Sequence, residues 1–242
     1  MREYIKPILI CFLGLLVLVC LLLIFTIKKT AKKPYYAYKH NMWTYPFKTG
    51  DLILFSKKKD HILSPNGLLK RVTGTTINHV GVIYVEPHSG HIYVWDMNIT
   101  GPRLASLVSL VEGPTGKAKN EFFILVRPLN KSASSSQFKK IIKHQWNMVY
   151  DYDIGLASYH RFLPLLPLFR GHEWNGGRQR HCAPFILEIY AMLGVLNLAN
   201  SRIDPSSYIP ADFGQEYKKS IPLPMDNGYK FGDTVLLITP EP

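Results

Sequence analysis

Two side chains stand out for the chemistry they could do: a thiol at position 182 and an imidazole at position 79. Cys182 lies in GGRQRHCAPFILEIYAMLG, residues 176–194, behind two glycines and two arginines and at the head of an apolar run. Phe185, Ile186, Ile189, Tyr190 and Leu193 in that run share one helical face, which predicts a helix over 183–196 with the thiol at its N-terminus. Pro184 fits the first turn, where its missing N–H is not needed. Unpaired N–H groups and the positive end of the helix dipole favour a thiolate there, and the same groups can hold a developing oxyanion. Arg178, Arg180 and His181 add positive charge, and His181 is expected to face substrate. The alternative is a small buried hydrophobe, the common fate of a free cysteine. The polar flank GGRQRH argues against it.

A thiol nucleophile needs a base, and the base needs an orienting group. His79 opens the apolar strand HVGVIYV, where an imidazole serves packing poorly. NHVGVIYVE (78–86) and HIYVWDM (91–97) flank the turn sequence PHSG, which predicts a hairpin. If Glu86 faces His91, then His79 faces Asn98, and Asp96 is its diagonal neighbour on the same face. Asp96 is then placed to hold the ring of His79. A one-residue change in the turn would send Asp96 to the other face. His88 and His91 fall at the hairpin tip, too far along to help. His172 and His181 flank the thiol, but zinc usually takes three or four ligands at tight spacing, so no metal or cofactor is expected.

The elements that must carry these groups are short. Asp51–Phe55 reads as a buried strand, 66–73 as a short helix, and Glu121–Arg127 and Tyr229–Thr239 as further strands. Ser134–Tyr150 reads as a serine-capped helix, and 103–112 fits neither period. The sum is an α+β domain with a mostly antiparallel sheet and helices packed on it.

The chain has 242 residues and a net charge of +12. Pro7–Ile27 carries no charge over 21 residues, enough for one transmembrane helix. A signal peptide is the alternative, but KKTAKK follows with no small-residue cleavage pattern. The expected organisation is a tail (1–6), a transmembrane helix (7–27), a basic and aromatic linker (28–47) and a domain (48–242). Lysines at 28, 29, 32 and 33 favour the domain on the cytoplasmic side of a single-pass membrane protein. Cys11 and Cys20 lie in the apolar stretch, which leaves Cys182 without a soluble partner and suits a reducing compartment. The sequons at Asn98 and Asn130 point the other way. Basic charge at a bilayer suits anionic lipid better than nucleic acid, for which there is no motif.

GDLILF, NHVGVIY, YVWD, YDYD, HCAPFILEIYAMLG and YIPADF, in that order over about residues 48–215, resemble the circularly permuted papain-like hydrolases. This is the branch of the NlpC-type superfamily with YiiX-like, poxvirus and, more distantly, lecithin retinol acyltransferase members. In that branch the histidine strand precedes the cysteine helix, as it does here. The resemblance implies a permuted papain-like fold, with Cys182 as nucleophile, His79 as base and Asp96 as orienting group. Relatives often carry glutamate where this chain has Asp96. Tyr150 and Tyr152 of YDYD are implied to line the substrate site. The expected function is a membrane-anchored thiol hydrolase, acting on an amide, peptide or acyl bond. The alternatives are a lipid acyltransferase or phospholipase of the same fold, and a non-catalytic membrane or virion protein that uses the fold for binding.

Overall fold

The computed structural model describes residues 38–58, 75–98, 100–112, 122–150, 179–200, 205–215 and 220–239. Seven strands form one sheet: Tyr38–Asn41 (β1), Leu52–Lys57 (β2), Ile77–Val85 (β3), Ile92–Asn98 (β4), Gly101–Ser106 (β5), Phe122–Arg127 (β6) and Val235–Ile238 (β9). Their order is β1-β9-β6-β2-β3-β4-β5. Neighbours run antiparallel except β1 and β9, which are parallel, with Tyr38 opposite Val235. A separate parallel pair, Val149–Tyr150 (β7) and Gln179–Arg180 (β8), leads into the helix that carries the thiol. Three α-helices occur among the described residues: Leu107–Glu112 (α1), Ser135–Gln145 (α2) and Cys182–Met192 (α3).

Both faces of the sheet are covered, which explains why LILF in β2 is apolar at every position. Leu52 and Leu54 join Val80, Val82, Trp95 and the inner faces of α2 and α3 in one cluster. Ile53 and Phe55 join Ile83, Val94, Ile124, Val126 and residues of α1 in the other. Ser134 caps α2 by accepting the Gln137 N–H at 3.3 Å. The helix stops at Gln145 rather than running to Tyr150, and Met148 N–H turns back to the Gln145 carbonyl at 3.1 Å.

The hairpin has the register anticipated from its turn. Glu86 N–H donates to the His91 carbonyl at 2.9 Å, and Val85 pairs with Ile92, Val82 with Trp95 and Gly81 with Asp96. Gly81 is required at that pair. A Cβ there would come within 2.7 Å of Val94 Cγ1 and 3.3 Å of Asp96 Cβ.

The expected fold class needs correction. In place of a permuted papain-like domain behind a transmembrane helix, the described residues form a mixed seven-stranded sheet, antiparallel except at its β1–β9 pair, with few helices. Two segments account for much of the difference. Residues 38–41, assigned to the linker, add a parallel strand at one edge, and 103–112 divides between β5 at the other edge and the six-residue α1. The expected transmembrane helix over 7–27 and short helix over 66–73 lie outside the described residues. Among the described residues, no helix is long and apolar enough to cross a membrane.

Candidate active site

Helix α3 brings the thiol to the sheet. Cys182 is its first residue, behind His181, whose φ of −95° and ψ of 176° are those of an extended N-cap. The helix is held at two points. Phe185, one turn past the thiol, packs on Trp95 of β4 with ring centroids 5.8 Å apart, and Tyr190 O–H donates to the Gly50 carbonyl at 2.7 Å. The Trp95 indole in turn donates to the side-chain Oε1 of the buried Gln145 at 3.4 Å. The thiol therefore sits on a fixed element, at the end where amide N–H groups lack helical acceptors.

The imidazole arrives from β3 by way of a bulge. Phe55 pairs with His79, but the next residue of β2, Ser56, pairs with Ile77, so Asn78 is an extra residue in β3. Strict alternation cannot put Ile77 and Val80 into one core cluster, yet both belong to it. The bulge resolves this by re-aiming the side chains at the start of the strand, a role bulges often have beside active sites. The Phe55 ring lies 5.6 Å from the His79 ring, and the imidazole remains 25% exposed.

Asp96 is fully buried on β4, diagonal to His79, and its Oδ2 lies 2.8 Å from His79 Nε2. Nδ1 is then the ring nitrogen left for the sulfur, and His79 and Cys182 lie near enough for each to shift the other's pKa. The structure thus joins His79 to Asp96 and sets Cys182 near His79. Burial opposes charge on His79, but the hydrogen bonds and charges of Asp96 and Cys182 outweigh it and push its pKa up to about 10. Burial likewise opposes a thiolate at Cys182. Hydrogen bonds from His181 and His79, with their charge, bring it down from 9.0 to about 6. Near neutral pH the pair is a thiolate and an imidazolium.

Of the other expected site residues, His181 is buried against the thiol rather than open to solvent. The side chain of Tyr150 and the whole of Tyr152 lie outside the described part of the structure, as does His172. Among the described residues, no group of three or more His, Cys, Asp or Glu is arranged to hold a metal ion.

Arg103 was missed. It lies directly opposite Asp96 in the β4–β5 ladder and grips it with a fork: Nε donates to Oδ1 at 3.0 Å and Nη2 to Oδ2 at 2.5 Å. Burial alone would raise the Asp96 pKa, but His79 and Arg103 hold it below the usual carboxylate range. The available signal was the cross-strand partner of Asp96. It could be found only by extending the hairpin to a third strand.

No protein-family model matches the chain, and no curated protein matches its sequence. Among solved structures it is similar to the metalloprotein YiiX from Escherichia coli O157:H7, with a TM-score of 0.43 and 16% identity over 81% of this chain and 100% of that one. The likeness is silent on papain-like descent and on thiol chemistry.

Proposed function

We propose that this chain is a cysteine-dependent hydrolase that cleaves an amide, peptide or acyl bond through Cys182, His79 and Asp96. One observation carries the reading: a thiol at a helix N-terminus lies beside an imidazole that is 2.8 Å from a buried carboxylate. A nucleophile, a base and an orienter in contact are the parts that covalent acyl transfer needs. The order of the three along the chain, imidazole before thiol, is also that of the permuted hydrolases its motifs resemble.

The steps follow from the charges. The Cys182 thiolate attacks the carbonyl carbon and forms a C–S bond, and the electron pair of the C=O moves to oxygen. The first-turn N–H groups of α3 face that oxyanion. As the oxyanion collapses, the C–N or C–O bond to the leaving group breaks, and His79 gives that group its proton. Water then attacks the thioester and loses a proton to His79. The C–S bond breaks, the acid leaves, and the thiolate–imidazolium pair is restored. Asp96 holds the ring in one tautomer and offsets the imidazolium charge throughout.

The test is to incubate the full chain with an activated acyl ester and look for a thioester on the Cys182 peptide by mass spectrometry. The wild type should acylate and turn over, Cys182→Ala should do neither, and His79→Ala should lose roughly 10²–10⁴-fold in rate. Acylation that is absent in the wild type, or unchanged in His79→Ala, would overturn the reading.

A further inference from the structure

We infer that Arg103 is a positioning residue: its guanidinium fork holds the Asp96 carboxylate against His79 and so supports a thiolate at Cys182. The inference rests on the hydrolase reading and adds to it a residue that touches none of the reacting atoms. Among the described residues, the titratable and charged groups around the cluster are His79 from β3, Asp96 from β4, Arg103 from β5, and His181 and Cys182 at the start of α3. Asp96 and the Cys182 thiolate are the anions, and Arg103 is a permanent cation that His79 and His181 supplement when protonated. In a desolvated site an excess of one sign is costly.

The geometry shows why Arg103 is needed in addition to His79. Asp96 Oδ2 is shared, 2.8 Å from His79 Nε2 and 2.5 Å from Arg103 Nη2, and Oδ1 accepts from Arg103 Nε at 3.0 Å. His79 therefore engages one oxygen of a carboxylate that Arg103 holds by both. The guanidinium fork fixes the plane of the carboxylate, and that plane sets the direction from which Oδ2 meets the imidazole. The Arg103 side chain is 39% exposed, so it bridges a fully buried carboxylate to the protein surface.

Removing this permanent cation leaves the two anions with imidazoles alone to offset them. The site answers by taking up a proton, and the thiolate, as the most basic anion, gives way. The titration of Cys182 should therefore move to higher pH. Because water can partly replace the exposed guanidinium, the expected size is about half to one pH unit, or roughly three- to tenfold less thiolate on the acid side of the midpoint.

The experiment measures the rate at which iodoacetamide alkylates Cys182 in the full chain across pH. Mass spectrometry of the Cys182 peptide keeps Cys11 and Cys20 out of the signal. Arg103→Gln should raise the midpoint by the stated amount. Arg103→Lys, which keeps the charge but not the fork, should recover most of the shift. Arg103→Met, which keeps the aliphatic stem, replaces Arg103→Gln if that variant gives no cooperative melt. A wild-type midpoint near 6 with no shift in the charge-removing variant overturns the inference and leaves the hydrolase reading intact. A wild-type midpoint near that of an ordinary thiol removes the hydrolase reading itself. If neither Arg103→Gln nor Arg103→Met folds, Arg103 is a structural clamp and the inference fails.

Discussion

Asp51 and Asp96 are both fully buried carboxylates attached to the same sheet, yet their surroundings differ in kind. Asp51, at the turn into β2, accepts backbone N–H groups from Lys48 and Leu129, each at 2.8 Å. Its donors are neutral and fixed, and burial prevails over them, so its pKa is raised. Asp96 meets an imidazole and a guanidinium, and its pKa is lowered. Neutral peptide donors tie the turn before β2 to Leu129, 78 positions away. Cationic donors, one of them able to lose its proton, favour the ionised form of the same side chain. The chemistry of a buried aspartate is thus set by what surrounds it.

The sharpest way to break that contrast is to neutralise each carboxylate. Asp96→Asn should cost up to about 10⁴-fold in turnover, because an amide can hold His79 in the wrong tautomer. Asp51→Asn should leave turnover of the folded protein within about threefold. It should lower stability by about 1–3 kcal/mol, since one of its two amide N–H partners would face an NH₂ group. Equal losses of turnover in the two variants would erase the distinction.

The thiol and imidazole give the next largest effect. The Cys182 pKa is held at about 6 and that of His79 at about 10, so the ion pair exists between those values. Alkylation of Cys182 should rise through about pH 6 and reach a plateau, whereas an unperturbed thiol would still be rising through 9.0. Turnover should fall again near pH 10 as His79 loses its proton. In stability the two run oppositely. The contribution of His79 is full below 6.5 and lost as pH rises through about 10. That of Cys182 is present above 9.0 and lost as pH falls through about 6.

The carboxylates should show the same opposition in acid. Asp96, with its lowered pKa, contributes stability above 3.8 that disappears as pH falls through its folded value. Asp51, with its raised pKa, contributes most below 3.8 and less as pH rises through its folded value. Urea midpoints should therefore show the gap between wild type and Asp96→Asn narrowing toward low pH. The gap for Asp51→Asn should narrow toward neutrality. Gaps that move in the same direction would contradict the assignment.

Two smaller changes test whether stability and site can be separated. Gly81→Ala drives a methyl against Val94 and Asp96, and should cost about 1–3 kcal/mol while also disturbing the thiol titration. Ser134→Ala, at the cap of α2, should cost about 1 kcal/mol in thermal unfolding and leave that titration where it was.

The hairpin that sets His79 beside Asp96 could be read in advance because PHSG and period-two alternation constrain its register locally. The head of α3 could be read because Pro184 and the polar residues before Cys182 mark a helix start. Arg103 could not, since GPRLAS has no clear period and its partner is defined only by a third strand. The bulge at Asn78 was hidden for a related reason: it arises from the pairing of β3 with β2, and leaves no mark in NHVG itself. Strand β1 is four residues long and mostly exposed, so its sequence carries little burial pattern, and its partner lies almost two hundred positions away.

That last pairing has a consequence for how the molecule is made. Until residues 235–238 leave the ribosome, β6 has an unfilled flank and β1 has nowhere to dock, because β9 lies between them. Closing so long a loop is entropically slow, so this margin of the sheet should zip up last. A nascent or C-terminally clipped chain would present the Ile124–Val126 stretch as a sticky seam, open to pairing with another copy.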